Sequence, residues 1–154
     1  MHGTLVCAVT DGAENDDAVA QAVAVSERLG LRLVLAHVVD GIAPLGSGNG
    51  DGETITMKGD RMEAERRLAE LARGHDLDGS AERRVAVGDP AALLGQIASE
   101  EAADVIVVGA RTRGWGRRGL ESPLAQDLET ETPVPVLIAP PRKRRQAANG
   151  ARQR

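Results

Sequence analysis

Two rhythms of apolar residues alternate along the chain. Short, nearly unbroken apolar runs bounded by Gly, Asp or Pro have the length of strands buried on both faces. Between them lie longer stretches with apolar residues three and four apart, the spacing of one helix face. LVCAVT (5–10) is the first run, closed by Asp11-Gly12. AENDDAVAQAVAVSERLG (13–30) follows as a helix. Glu14, Asp16 and Asp17 crowd its first turn, where the helix dipole favours acids. Ala18, Ala22, Val25 and Leu29 mark its inner face, and Gly30 is placed to end it in a left-handed turn.

LRLVLAHVV (31–39) reads as the second strand, and DGIAPLGSGNGDGETIT (40–56), Gly-rich and without period, as a surface loop. MKGDRMEAERRLAELARG (57–74) has Ala64, Leu68 and Leu71 on one face, with Gly74 to close it. AERRVAVG (81–88) alternates polar and apolar residues, as an edge strand does. Asp89-Pro90 supplies an N-cap and a first-turn proline, and Leu93, Leu94, Ile97 and Ala98 give that helix its apolar face. DVIVVG (104–109) is the most apolar run and belongs at the centre of a sheet. Ser122-Pro123 repeats the capping device and opens a short fourth helix. PVPVLIAP (133–140), fenced by prolines, is a last strand at an edge.

The order β-α-β-α-β-α-β-α-β predicts a single α/β domain over residues 1–140, a doubly wound parallel sheet with helices on both faces. In such sheets ligands bind at the carboxyl ends of the strands, where the winding reverses. Two segments are candidates for that place: VTDG after the first strand and VVGARTRGWGRRGLES after the fourth.

Composition narrows the picture. The 154 residues include one Trp and neither Phe nor Tyr, so the core must be aliphatic. No run approaches the length of a membrane span, and the N-terminal stretch lacks the pattern of a secretory signal. A cytoplasmic protein is expected. The single cysteine, Cys7, excludes an internal disulfide and reads as a small buried hydrophobe rather than a reactive thiol. The net charge of −4 is uneven: the basic tail from Arg142 to Arg154 holds six Lys and Arg and no acid, so residues 1–141 carry about −10. An acidic body argues against nucleic acid as a specific partner. The tail (141–154) has no apolar periodicity and is expected to be disordered. It is either a solvated appendage or a handle for an anionic partner.

No grouping of His2, His37 and His75 has metal-ligand spacing, and no Ser-His-Asp arrangement stands out. Asp16-Asp17 and Glu100-Glu101 read as solvated helix surface rather than acid/base dyads. The sequence therefore predicts a binding module and not an enzyme.

Four stretches in order carry a family resemblance: AVTDGAENDDAVAQA, HVVD, VAVGDPAALLGQIASEEAADVIVVGAR and PVPVLIAP. Over residues 3 to 140 the chain resembles the universal stress protein family. The resemblance implies strand order 3-2-1-4-5, a homodimer through the last strand (Val134 to Ala139), and a stress-response role exerted through partners. Members that bind ATP, with magnesium, carry G-x2-G-x9-G-[S/T] after the fourth strand. Here Gly109 matches the first glycine, but Thr112 and Ser122 replace the other two, and Pro123 replaces the hydroxyl residue. A β-branched residue such as Thr112 resists the positive φ that glycine allows, and Pro123 removes one N–H donor.

Gly114, Gly116 and Gly119 keep the loop glycine-rich in a shifted register. Arg111, Arg113, Arg117 and Arg118 either fork onto phosphate or are solvated. Trp115 stacks on a base, packs on the sheet edge or meets a partner. The N–H groups of Leu124 and Ala125 remain to meet an anion, unless the Ser122 hydroxyl caps its own helix. Asp11 falls where the family's aspartate contacts the nucleoside, or else caps its Asp-Gly turn. Val39 would present backbone groups to the adenine edge. The expected ligand is thus ATP or another adenine nucleotide, with a non-nucleotide-binding dimer acting through protein contacts as the alternative.

Overall fold

The computed structural model describes residues 3–10, 15–40, 55–77, 79–110 and 122–140. Five strands, β1 (Thr4–Val9), β2 (Arg32–Asp40), β3 (Glu82–Gly88), β4 (Val105–Gly109) and β5 (Val136–Ala139), alternate with four helices. These are α1 (Asn15–Leu29), α2 (Ile55–Gly74), α3 (Pro90–Glu100) and α4 (Pro123–Glu131). All strand pairs are parallel, in the order β3-β2-β1-β4-β5. The chain winds outward from β1 to β3, crosses back to β4 and continues to β5, so the winding reverses between β1 and β4.

Successive side chains of a strand point to opposite faces, and the core divides accordingly. Leu5, Cys7, Val9, Leu33 and Leu35 pack with Ala18, Val19 and Ala22 of α1 and Leu68 and Ala72 of α2. Val6, Ala8, Val34, Ala36, Ile106 and Val108 pack with Leu94, Ile97 and Ala98 of α3 and Ala125 and Leu128 of α4. Every residue of β1 is buried, which is why that run carries no alternation. The edge strand β3 keeps its first two residues exposed, in line with its mixed sequence.

Three helices end in the same way, with a left-handed residue and a hydrogen bond from the next N–H back five residues. The left-handed residues are Gly30, Asp76 and Ala102, at φ 67°, 57° and 54°. The bonds run from Leu31 to Ser26, Leu77 to Ala72 and Ala103 to Ala98, at 2.8, 2.7 and 2.8 Å. Glycine does this without strain; Asp76, not Gly74, does it after α2. Both N-caps expected at Asp-Pro and Ser-Pro are present: Asp89 accepts from the Ala92 N–H and Ser122 from the Ala125 N–H.

Four details differ from the sequence reading. Leu29 is 66% exposed, because the buried row of α1 runs through Ala18, Val19, Ala22 and Ser26. Ser26 tolerates burial by donating its hydroxyl to the Val23 carbonyl at 3.0 Å. Helix α2 starts at Ile55, two residues before the expected Met57. The last strand starts at Val136 rather than Val134. The Val134 N–H is turned to the Thr132 hydroxyl at 3.2 Å, and Pro135 has no N–H to offer a ladder. Glu100 and Glu101 are not simply solvated: they pair with Arg84, and Glu101 also with Arg32.

Candidate functional site at the carboxyl ends of the strands

At the switch point the two central strands part company early. β1 and β4 pair at Leu5↔Val105, Val6↔Ile106 and Cys7↔Val107, and no further. On its other side β1 stays paired with β2 as far as Val9↔His37. β4 stays paired with β5 as far as Gly109↔Ala139. Both central strands therefore run past their last mutual pair, at the place where doubly wound sheets form their ligand cleft.

The rim of the cleft is built from several elements. After β1, the Asn15 side chain accepts the Thr10 N–H at 2.8 Å and donates back to the Thr10 carbonyl. One amide thus ties the start of α1 to both backbone groups of Thr10, the residue after β1. Gly109 ends β4, and the next N–H, of Ala110, is tied to the Ala139 carbonyl at 3.1 Å. Ser122 lies buried at the start of α4. Its hydroxyl accepts from the Ala125 N–H at 3.1 Å and its carbonyl from the Gln126 N–H at 3.1 Å.

The Ala125 N–H is therefore spent on the cap and is not available to an anion, the second of the two alternatives that the sequence left open. Pro123 has no N–H. Leu124, the second residue of α4, lies in the turn whose N–H groups have no acceptor within the helix. Val39 lies near the end of β2, paired with Val87. Asp11, Arg111, Gly114 and Trp115 lie outside the described residues, as does the basic tail.

A second feature adjoins this rim. Between β2 and α2 lies a cavity of about 270 Å³, lined by His37, Val39, Asp60, Glu63, Ala64 and Arg67. His37 is only 2% exposed. Glu63 is engaged by Arg66 at 2.5 Å and by Arg67 at 3.3 Å, and the guanidinium of Arg66 holds its carboxyl below the usual range. Asp60 has no hydrogen-bond or ion-pair partner among the described residues. Sequence reasoning missed Asn15, His37 and Asp60. Asn15 looked like one more polar residue in an acidic first turn, and Asp60 like ordinary helix surface.

Cys7 is no part of this site. It lies in the middle of the central strand, and burial pushes its thiol up to about 12. Among the described residues no group of three His, Cys, Asp or Glu could hold a metal ion. No helix among them is long and apolar enough to cross a membrane.

The sequence model of the universal stress protein family matches residues 1–140. The chain belongs to that family. This universal stress protein also aligns with solved structures over nearly its whole length. UspA from Lactobacillus plantarum superposes with a TM-score of 0.65 at 18% identity, over 90% of this chain and 99% of that one. The universal stress protein from Archaeoglobus fulgidus in complex with dAMP gives 0.64 at 18%, over 89% and 97%. A universal stress protein in complex with cAMP gives 0.59 at 19%, over 90% and 96%. Such identities establish a shared fold. No curated protein matches the sequence.

Proposed function

We propose that this universal stress protein is a cytoplasmic, dimeric binding module for an adenine nucleotide, working through partners rather than by turnover. The observation that carries the reading is the early parting of β1 and β4. It opens backbone at the switch point of a doubly wound sheet, the place where such folds take ligands. Relatives of the same fold crystallised with dAMP and cAMP support the choice of ligand. Gly109 and the first turn of α4, with Ser122 and Leu124, face the phosphates. Arg111 and Gly114 belong to the same connection. Asp11, next in the chain after Thr10, takes the nucleoside. Magnesium accompanies a triphosphate.

Dimerisation uses β5. That strand is four residues long and lies at the sheet edge, with Leu137 36% exposed. An apolar edge left uncovered invites pairing with another chain.

One observation favours a second reading, a dimer that binds no nucleotide. The Ser122 hydroxyl and the Ala125 N–H satisfy each other, which leaves fewer donors for phosphate. Thermal unfolding with ATP and magnesium, AMP or cAMP separates the two. A ligand at 100 times its Kd stabilises the fold by about 2.7 kcal/mol, a shift of several degrees for a chain this size. Asp11→Ala is expected to abolish that shift and leave dimerisation intact. No shift with wild-type protein at millimolar ligand supports the non-binding reading; a shift unchanged in Asp11→Ala removes Asp11 from the site.

A further inference from the structure

The cavity between β2 and α2 has a definite chemical character. On the sheet side, His37 and Val39 point toward α2, as Leu33 and Leu35 do on the same face. On the helix side, Ala64 is buried, with Asp60 one turn before it and Arg67 one turn after. Val39 and Ala64 supply apolar surface, the buried imidazole of His37 a polar floor, and Asp60, Glu63 and Arg67 a charged wall. Glu63 is neutralised by Arg66 and Arg67. Asp60 keeps its acceptor oxygens unused among the described residues.

At about 270 Å³ the cavity falls just below the usual range of small-molecule sites, so it admits a fragment such as a single heterocycle. A phosphate is disfavoured beside an uncompensated carboxylate. A group rich in N–H donors is favoured, because a carboxylate only accepts. Distance agrees with this assignment. β2 and β4 are separated by β1 alone, two strand spacings or about 10 Å. One nucleoside monophosphate laid across the carboxyl ends reaches from this cavity to Gly109 and the start of α4.

We infer that this cavity receives the base of the nucleotide and that Asp60 selects an amino-bearing base over its keto counterpart. The inference rests on the adenine-nucleotide reading and adds a residue that decides specificity. Asp60 accepts from the exocyclic amino group of adenine. Hypoxanthine presents a carbonyl at that position, and two acceptors then oppose each other.

Calorimetric titration of the full chain with AMP and with IMP tests this, since the two ligands share ribose and phosphate. Wild-type protein is expected to bind AMP about tenfold more tightly than IMP, the effect of one hydrogen bond to a charged group at a partly solvated rim. Asp60→Asn places a carboxamide that both donates and accepts, and is expected to bring the ratio to about twofold or less. Asp60→Ala is expected to weaken AMP binding and, by removing the opposed acceptor, to tighten IMP binding. Asp60 is exposed, so neither substitution disturbs the core, and an unchanged melting temperature verifies this. If wild-type protein binds AMP and IMP equally, or if its preference survives in Asp60→Asn, the role of Asp60 is overturned while the nucleotide reading stands. If wild-type protein binds neither ligand at millimolar concentration, the reading and the inference fall together.

Discussion

At one end of the sheet the strands begin, and there the polar groups are occupied. The Asp104 carboxylate accepts the Thr4 N–H at 2.9 Å while the Asp104 N–H donates to the Thr4 carbonyl at 2.7 Å, tying the start of β1 to the start of β4. Arg32 on β2 reaches Glu82 on β3 and Glu101 after α3, and Arg84 reaches Glu100 and Glu101. At the other end the strands finish, and there β1 and β4 separate, Asp60 keeps an unused carboxylate, and a cavity remains beside β2. The fold is held together where the strands enter and left available where they leave. Stability and binding can therefore be perturbed separately, and substitutions at the two ends are the way to test that division.

The largest effect is expected at the closed end. Asp104→Ala strands the N–H of a residue only 5% exposed, and a lost partner for a buried donor costs about 1–3 kcal/mol. Thermal denaturation is expected to show a fall of several degrees, with nucleotide affinity unchanged; a matching loss of affinity would erase the contrast between the ends.

At the open end, Ser122→Ala removes the cap of α4 and costs about 1 kcal/mol. It also sharpens the choice between the two functional readings. If the hydroxyl only caps, AMP binding by calorimetry stays as it was. A weakened Kd beyond the stability loss would assign Ser122 a contact with the ligand.

The smallest effect is expected from Glu101→Gln. Its partners Arg32 and Arg84 have side chains 40% and 35% exposed, so solvent screening limits the loss to about 0.5 kcal/mol. The Arg32 and Arg84 hydrogen bonds hold the Glu101 carboxyl below its ordinary value, and Arg84 does the same for Glu100. A depressed native pKa stabilises the fold above the unfolded value and loses that contribution as pH falls through the native one. Unfolding free energy measured against pH is thus expected to drop below the ordinary carboxylate value of 4.5, less steeply in Glu101→Gln. Identical slopes would show that the network contributes nothing.

Much of the fold was legible because local rules and the global arrangement agree. The six-residue run of β1 signals burial on both faces, and Asp89-Pro90 and Ser122-Pro123 state their caps in two residues each. The switch point followed from the order of elements alone. What was hidden depends on residues distant in sequence. Glu101 meets Arg32 across 69 positions, and no spacing rule connects them. The partners of Glu100 and Glu101 decide whether that pair is surface or structure, and only the packing of α3 against β2 and β3 supplies them. Leu29 keeps helical spacing yet lies exposed, because the buried row of α1 shifts toward Val19 and Ser26.

The candidate site divides along the same line. Val39, Gly109 and Ser122 could be placed from the ends of their elements. His37 and Asp60 could not, since a histidine in a strand and an aspartate on a charged helix have no local signature. Their shared cavity exists only because α2 lies over β2. The competition for the Ala125 N–H was visible as an alternative in Ser122-Pro123, and geometry resolves it in favour of the cap.

The buried side chains among the described residues are Leu, Val, Ile, Ala and Cys, three hydroxyls (Thr4, Ser26 and Ser122) and the single imidazole of His37, with no benzene or indole ring. The interior is therefore optically silent in the near ultraviolet. Trp115, in the connection between Ala110 and Ser122, is the lone strong fluorophore of the whole sequence. Emission from this protein reports on that one connection, undiluted by any signal from the packed sheet and helices.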